Sequence, residues 1–474
     1  MSNYIPTVGV EVHVELKTNT KIFSPSINGY GEMANSLTNV IDLGYPGTLP
    51  TLNEEVVNLA IKAATVLNCK IRKEMHFDRK NYFYPDIPKN YQITQSRTPI
   101  GYDGYLEIEV NGEKKKVYIE EMHIEEDTCK SAHRGTKTLL DFNRAGVPLI
   151  EIVSEPDIRS AQEAESYVRK LKSILEYIEV SDCKMQEGSL RADVNVSIRK
   201  KGTTEFGTRT EMKNMNSFRS IVRGIEYEVE RQIDVIESGG KVEQETLRWD
   251  DVSGKTFSMR DKEDAEDYRY FPDPDLVAIK LSEEYINKIK EELPELPESR
   301  KTRYLEEYKL TQKEADTLTS SKYLSDFFEE ATKICKNPKT VCNWMLSDIA
   351  KVLNEKELEP DQIPFSPKDL AELISLIEKG TISGAIAKKV LDKMFEEAKT
   401  PETIIKENGW VQISDEGAIK EVVEKIITQN PQSVADYKAG KEKALGFLVG
   451  QAMKETKGKA NPQMLNTMFK DALK

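Results

Sequence analysis

Thr7-Val8-Gly9-Val10-Glu11-Val12-His13-Val14-Glu15-Leu16 alternates apolar and polar positions without a break. Successive side chains of a β-strand point to opposite faces of the sheet. Val8, Val10, Val12, Val14 and Leu16 therefore share one face, which a core must cover. Gly9, Glu11, His13 and Glu15 share the other, a row of two carboxylates flanking an imidazole. Hard carboxylate oxygens suit Mg²⁺, and imidazole can join them. The competing expectation is a solvated outer face of an antiparallel sheet, and this strand alone does not choose.

Outward from this strand, the same device recurs. His123-Ile124-Glu125-Glu126-Asp127 ends a β-branched run, and three adjacent carboxylates repel one another unless a cation neutralises them. A solvated turn is the plain alternative there. Leu149-Ile150-Glu151-Ile152-Val153 is apolar on both faces except for Glu151, and a carboxylate so placed needs a partner. In Arg191-Ala192-Asp193-Val194-Asn195-Val196-Ser197-Ile198-Arg199 the polar face combines groups suited to an oxyanion and to its cation. Arg209-Thr210-Glu211-Met212-Lys213, if extended, places Arg209, Glu211 and Lys213 together before a helix that Ser217 opens. A salt-bridged surface explains any one of these strands; five in succession argue for a shared site.

Strands at Thr7 to Leu16, Tyr105 to Val110, Val117 to Ile124, Leu149 to Val153 and Ala192 to Ile198 alternate with helices at Glu54 to Leu67, Ala161 to Tyr177 and Phe218 to Glu237. Without regular βαβ alternation this predicts an α+β domain. Leu293-Pro294-Glu295-Leu296-Pro297 reads as a linker, beyond which the pattern is helical. Asn337-Pro338, Ser366-Pro367, Thr400-Pro401, Asn430-Pro431 and Asn461-Pro462 each look like a helix start, with proline near the first helical position. Near the C-terminus, Lys441, Lys443 and Lys454 bracket an apolar helix and Lys457 and Lys459 follow it, an arrangement that can grip RNA phosphates.

Composition narrows the function. The net charge is -13, so any nucleic-acid binding needs a local basic patch. No apolar run approaches the roughly 18 residues that span a bilayer, and Met1 to Pro6 has no signal-peptide character. Five scattered cysteines, none in a C-x-x-C pair, suit free thiols in a reducing cytoplasm rather than disulfides or structural zinc. All four histidines lie within the first 133 residues, which confines imidazole chemistry to that part of the chain. There is no Walker loop, no dinucleotide-binding glycine motif and no nucleophile elbow. Asn81-Tyr82-Phe83-Tyr84-Pro85-Asp86 and Asp267-Tyr268-Arg269-Tyr270-Phe271-Pro272-Asp273-Pro274-Asp275 can stack a nucleotide or RNA end, or form rigid loops.

The segments GVEVHVELKT, NVIDLGYPGTLP, FDRKNYFYPDIPKNYQITQ, HIEEDTCKS, PLIEIVSEPDIRS, MQEGSLRADVNVSIR, EMKNMNSFRS, DYRYFPDPD and GFLVGQAMKETKGKANPQ closely resemble the B subunits of the aspartyl/glutamyl-tRNA amidotransferases, collinearly along nearly the whole chain. The resemblance implies a cradle-like domain with a mixed sheet over residues 1–292, an all-α helical domain over 298–408 and a small YqeY-like α-helical tail over 409–474. It implies a glutamine-dependent carbon–nitrogen ligase. In this family the B subunit phosphorylates the side-chain carboxylate of Glu-tRNA(Gln) or Asp-tRNA(Asn) with ATP and Mg²⁺. Ammonia arrives through a channel from the amidase, the A subunit, and a small C subunit completes a heterotrimer. The implied catalytic and metal residues are Glu11, His13, Glu126, Glu151, Asp193 and Glu211, with Glu125 competing with Glu126. Arg191, Arg209 and Lys213 are expected at phosphates, and the tail lysines at tRNA. Some members carry zinc-binding cysteines in the region matching Phe23 to Pro46; this chain has none there, so no zinc is expected.

Overall fold

The computed structural model describes residues 3–259, 267–356, 358, 360–410, 416–438, 440–456, 460 and 462–473. The chain divides into two compact units, Met1–Leu296 and Pro297–Lys474. The break falls inside the proline-rich stretch.

The first unit is built on a nine-stranded sheet. In chain order its strands are β1 (Tyr4–Glu15), β2 (Lys70–Ile71), β3 (Gly101–Val110), β4 (Glu113–Glu126), β5 (Pro148–Ser154), β6 (Leu190–Lys200), β7 (Thr210–Met215), β8 (Thr246–Asp250) and β9 (Lys255–Ser258). They lie side by side as β9-β8-β7-β6-β1-β5-β4-β3-β2. All pairings are antiparallel except β7 with β8, so the sheet is mixed. The opening strand sits in the middle, between β5 and β6.

Three helices cover one face: α1 (Glu54–Val66), α2 (Ala161–Tyr177) and α3 (Phe218–Glu237). Asn53, Ser160 and Ser217 cap them, each side chain accepting from a backbone N–H of the first turn. Past α3, Gly239 reverses the chain at φ +85°, a conformation that costs glycine little. Val8, Val10, Val12, Val14 and Leu16 are fully buried in one core with Ala60 and Ala64 of α1, Tyr167 and Leu171 of α2, and Ile221 and Ile225 of α3. Each such side chain contributes about 1.5–3 kcal/mol by leaving water. That burial sets the sheet's register, because a one-residue slip would turn the valines outward. It also fixes which face Glu11, His13 and Glu15 must occupy.

A small three-stranded sheet of Asp78–Asn81, Tyr91–Thr94 and Phe271–Pro272 accompanies the large one. The second unit is helical. Helices begin at Pro338, Pro367, Pro401, Pro431 and Pro462, the positions the Xaa-Pro pairs predict. Its buried side chains form two separate clusters, one from Tyr304 to Ile405 and one from Ile419 to Leu473.

Candidate active site

Register brings the polar residues into line. On the face opposite the helices, His13 of β1 stands between Glu151 of β5 and Arg191 of β6, and Glu151 in turn faces His123 of β4. Directly opposed residues on neighbouring strands share a face. Glu125, two residues beyond His123, joins the same face.

Three donors converge. His13 Nε2 lies 3.5 Å from Glu125 Oε1 and 3.6 Å from Glu151 Oε2. The three ligand atoms lie within 4.8 Å of one another. A six-coordinate cation with bonds of about 2.1 Å sets adjacent ligands about 3 Å apart, so this imidazole and two carboxylates fit a divalent cation with small adjustment. Behind them, His123 Nε2 approaches Glu151 Oε2 at 3.0 Å and Glu125 Oε2 at 3.7 Å, while its Nδ1 stands 3.4 Å from Glu121. Burial alone would lower the His123 pKa, but the facing carboxylates Glu121, Glu125 and Glu151 hold it well above the usual histidine value. Burial would likewise raise Glu151, yet His13, His123 and Lys80 keep it well below the usual carboxylate range.

The neighbouring strands extend the face. Glu11 Oε1 accepts from the Asn195 amide at 2.7 Å. Burial first, then the charge of Glu151, raises the Glu11 pKa, with Glu211 and Asp193 adding to it. Lys213 Nζ bridges Glu211 at 2.9 Å and Asp193 at 3.3 Å. Burial opposes the charge of Glu211 and of Lys213, but their mutual attraction prevails: Glu211 is lowered and Lys213 raised. Arg191 pairs with Asp127 at 3.1 Å, and Arg144 with the same carboxylate at 2.6 Å. Arg209 is exposed in the segment before β7. Glu15 is turned toward Arg144, Asp127 and Asp182, and burial pushes its pKa up to about 7.

Glu126 is placed differently from the expectation. Alternation along β4 turns it away from Glu125, toward the ammonium of Lys89 and the Ile93 N–H, which donates to Glu126 Oε1 at 2.9 Å. Glu125 occupies the position beside His13 instead. Nor is the acidic run a solvated turn: Glu125, Glu126 and Asp127 are all buried, each with its own cationic or imidazole partner. Sequence reasoning offered Asn195 for a cation and named His123 only as the start of an acidic run; it did not single out Lys80, Lys89 or Arg144 as site residues. A signal for His123 existed in His123-Ile124-Glu125, which has the parity of Glu11-Val12-His13. Lys89 and Arg144 come from loops and carry no such signal.

In the second unit, Lys441 pairs with Asp436 at 3.0 Å, and Lys443 and Lys454 lie on the helix Lys443–Glu455, Lys443 at its exposed start. Lys457 and Lys459 fall outside the described residues. Among the described residues no helix is long and apolar enough to cross a membrane.

The first unit is thus a mixed sheet with one helix-covered face and, on the other, carboxylates and imidazoles that converge as a set able to hold a metal ion; a helical unit follows. Comparison with known proteins makes this specific. Residues 6–287 match the GatB/GatE catalytic domain, and residues 326–473 match the GatB domain. The chain is 53% identical over 475 residues to the B subunit of the aspartyl/glutamyl-tRNA(Asn/Gln) amidotransferase of Brevibacillus brevis, covering 100% of this chain and 99% of that one. It is 54% identical over 475 residues to the corresponding chain of Caldicellulosiruptor bescii, covering 99% of each. With that of Carboxydothermus hydrogenoformans the identity is 52% over 478 residues, covering 100% of this chain and 99% of that one. The chain belongs to the GatB/GatE family of tRNA amidotransferase B subunits.

Proposed function

We propose that this chain uses ATP to phosphorylate the side-chain carboxylate of glutamate or aspartate carried on tRNA(Gln) or tRNA(Asn), and then hosts its conversion to the amide. The observation that carries this is the convergence of His13, Glu125 and Glu151 on a sheet face that also bears Lys213, Asp193 and Glu211. His13, Glu125 and Glu151 would hold Mg²⁺, with Glu11, Asp193 and Glu211 beside them. A bound Mg²⁺ supplies neutralising charge for the oxygens of the transferred phosphoryl group. Lys213, and Arg209 near it, suit contacts to the nucleotide phosphates.

In the first step a carboxylate oxygen of the substrate bonds to the γ-phosphorus as the bond to ADP breaks. In the second, ammonia attacks the acyl carbon and phosphate leaves with the proton, giving glutaminyl- or asparaginyl-tRNA. Ammonia would come from a partner amidase, the A subunit, in a heterotrimer with a small C subunit. Lys441, Lys443 and Lys454 would contact the tRNA backbone.

The test uses the complete amidotransferase. Glu125→Gln should lower Mg²⁺-dependent amide formation by at least about 100-fold, leaving tRNA binding unchanged. Wild-type turnover in that variant, or amide formation that needs neither ATP nor Mg²⁺, refutes the proposal.

A further inference from the structure

Two aromatic segments far apart in sequence are adjacent in the fold. The Asn81 N–H donates to the Tyr268 carbonyl at 2.9 Å, and its side-chain amide to the Arg269 carbonyl at 2.9 Å. Phe271–Pro272 pairs with Asp78 and Arg79. The rings meet edge-on: Tyr82 and Tyr268 have centroids 6.3 Å apart, Tyr268 and Tyr270 6.0 Å. The Lys80 ammonium sits 4.7 Å from the centre of the Tyr268 ring. Phe83, next in sequence to Tyr82, is 88% exposed, and Tyr270 is 42% exposed. A cluster of large exposed aromatics on a folded domain calls for a partner.

The cluster borders the metal-competent group. Thr94, on the same small sheet, approaches Glu125 Oε2 at 3.5 Å. The Tyr270 phenol, pushed up by burial, lies in the field of Lys80, His123 and Glu125, and Lys80 in turn stabilises the charge of Glu151. This is the β4 side of the group. Lys213 and Asp193, the phosphate-facing candidates, lie on β7 and β6, across β1. Phosphoryl transfer runs with attacking and leaving oxygens roughly in line. A nucleotide whose phosphates enter from the β6–β7 side leaves the β4 side for the attacking carboxylate.

We propose that the rim formed by Lys80, Tyr82, Phe83, Tyr268 and Tyr270 seats the 3′-terminal adenosine of the aminoacyl-tRNA, its base stacked on the rings and its phosphate facing Lys80. This inference rests on the function proposed above. The amino acid is esterified to the ribose of that nucleoside. A base held on the rim therefore presents the side-chain carboxylate to the metal group, an ester and a short side chain away. Base stacking on aromatic side chains serves any base, so the rim adds affinity for the RNA end and leaves the choice of tRNA to other contacts.

Binding of uncharged tRNA to the complete amidotransferase, measured without ATP or Mg²⁺, separates this from the chemistry. Two tRNAs are compared, with and without the terminal adenosine. Wild-type protein should bind the shortened tRNA about 5- to 100-fold more weakly. The double variant Phe83→Ala with Tyr270→Leu, both at exposed positions, should bind full-length tRNA correspondingly weakly and lose no more when the adenosine is removed. An undiminished preference for the terminal adenosine in the variant overturns the proposal. So does an unchanged tRNA affinity with a raised KM for ATP, which would assign the rim to the nucleotide base. Because Glu125→Gln should keep the wild-type preference, a failure of the kinase assignment is read separately from a failure of the rim.

Discussion

Glutamate and lysine populate both units, with opposite consequences. In the helical unit they pair four residues apart on solvated helix faces, as Lys406 with Glu402 and Lys351 with Glu355, every partner more than half exposed. Such pairs contribute about 0–1 kcal/mol. On the large sheet Glu125, Glu126 and His123 are buried, and each meets a partner from another strand or loop. A buried charge without its partner is strongly destabilising, so these groups persist only in a fixed arrangement. The contrast teaches that burial against the sheet, rather than the abundance of acidic residues, concentrates the chemistry.

Glu126→Ala tests the contrast most severely. It leaves the nearly buried Lys89 ammonium without its carboxylate and should cost about 3–5 kcal/mol in chemical unfolding, while Mn²⁺ affinity stays at the wild-type value. A loss of Mn²⁺ affinity would put Glu126 back in the metal group. His123→Ala comes next. His123 touches no proposed substrate and holds Glu125 and Glu151 in place, so Mn²⁺ affinity, followed by electron paramagnetic resonance, should fall about 10- to 100-fold. His123→Gln, which keeps a donor, should recover part of it; unaltered Mn²⁺ binding in both variants removes the positioning role.

Glu15 gives a pH signature. Its folded-state pKa of about 7 exceeds the usual 4.5 because burial favours the neutral acid. As pH rises from 4.5 to 7 the unfolded chain ionises first, so native stability is lost across that window. Glu15→Gln in metal-free protein should be neutral below that window and stabilising above it by about 1–3 kcal/mol; parallel stability curves for the two proteins would contradict the shift. The smallest effect belongs to the solvated side of the comparison. Replacing Lys441, Lys443 and Lys454 together by alanine should weaken tRNA binding severalfold and reduce the salt slope of log affinity by about two to three. An identical slope would show that these lysines stay in water.

Much of this was legible from side-chain parity. The alternation in β1 assigns the valines to the core and Glu11 and His13 to the opposite face, and the proline pairs mark helix starts in the second unit. Parity also separates Glu125 from Glu126, since Ile124 is a core residue and Glu126 shares its phase. What could not be read was the company each residue keeps. Lys89, Arg144 and Lys80 reach the acidic residues from loops and from the small sheet, and no periodicity announces such contacts. Arg191 looked ready for phosphate on its strand; Asp127, from beyond the end of β4, engages it.

By itself, then, the sequence determined the two-faced strands, the caps and breaks of the helices, and the family. A period of two or of 3.6 is a local property of the backbone. Only the tertiary structure decided that His13 opposes Glu151 and Glu151 opposes His123, and that Glu125 completes the donor set beside them. Strand order and register come from burying the valine face under three helices. That packing is a property of the whole unit, which no single strand records.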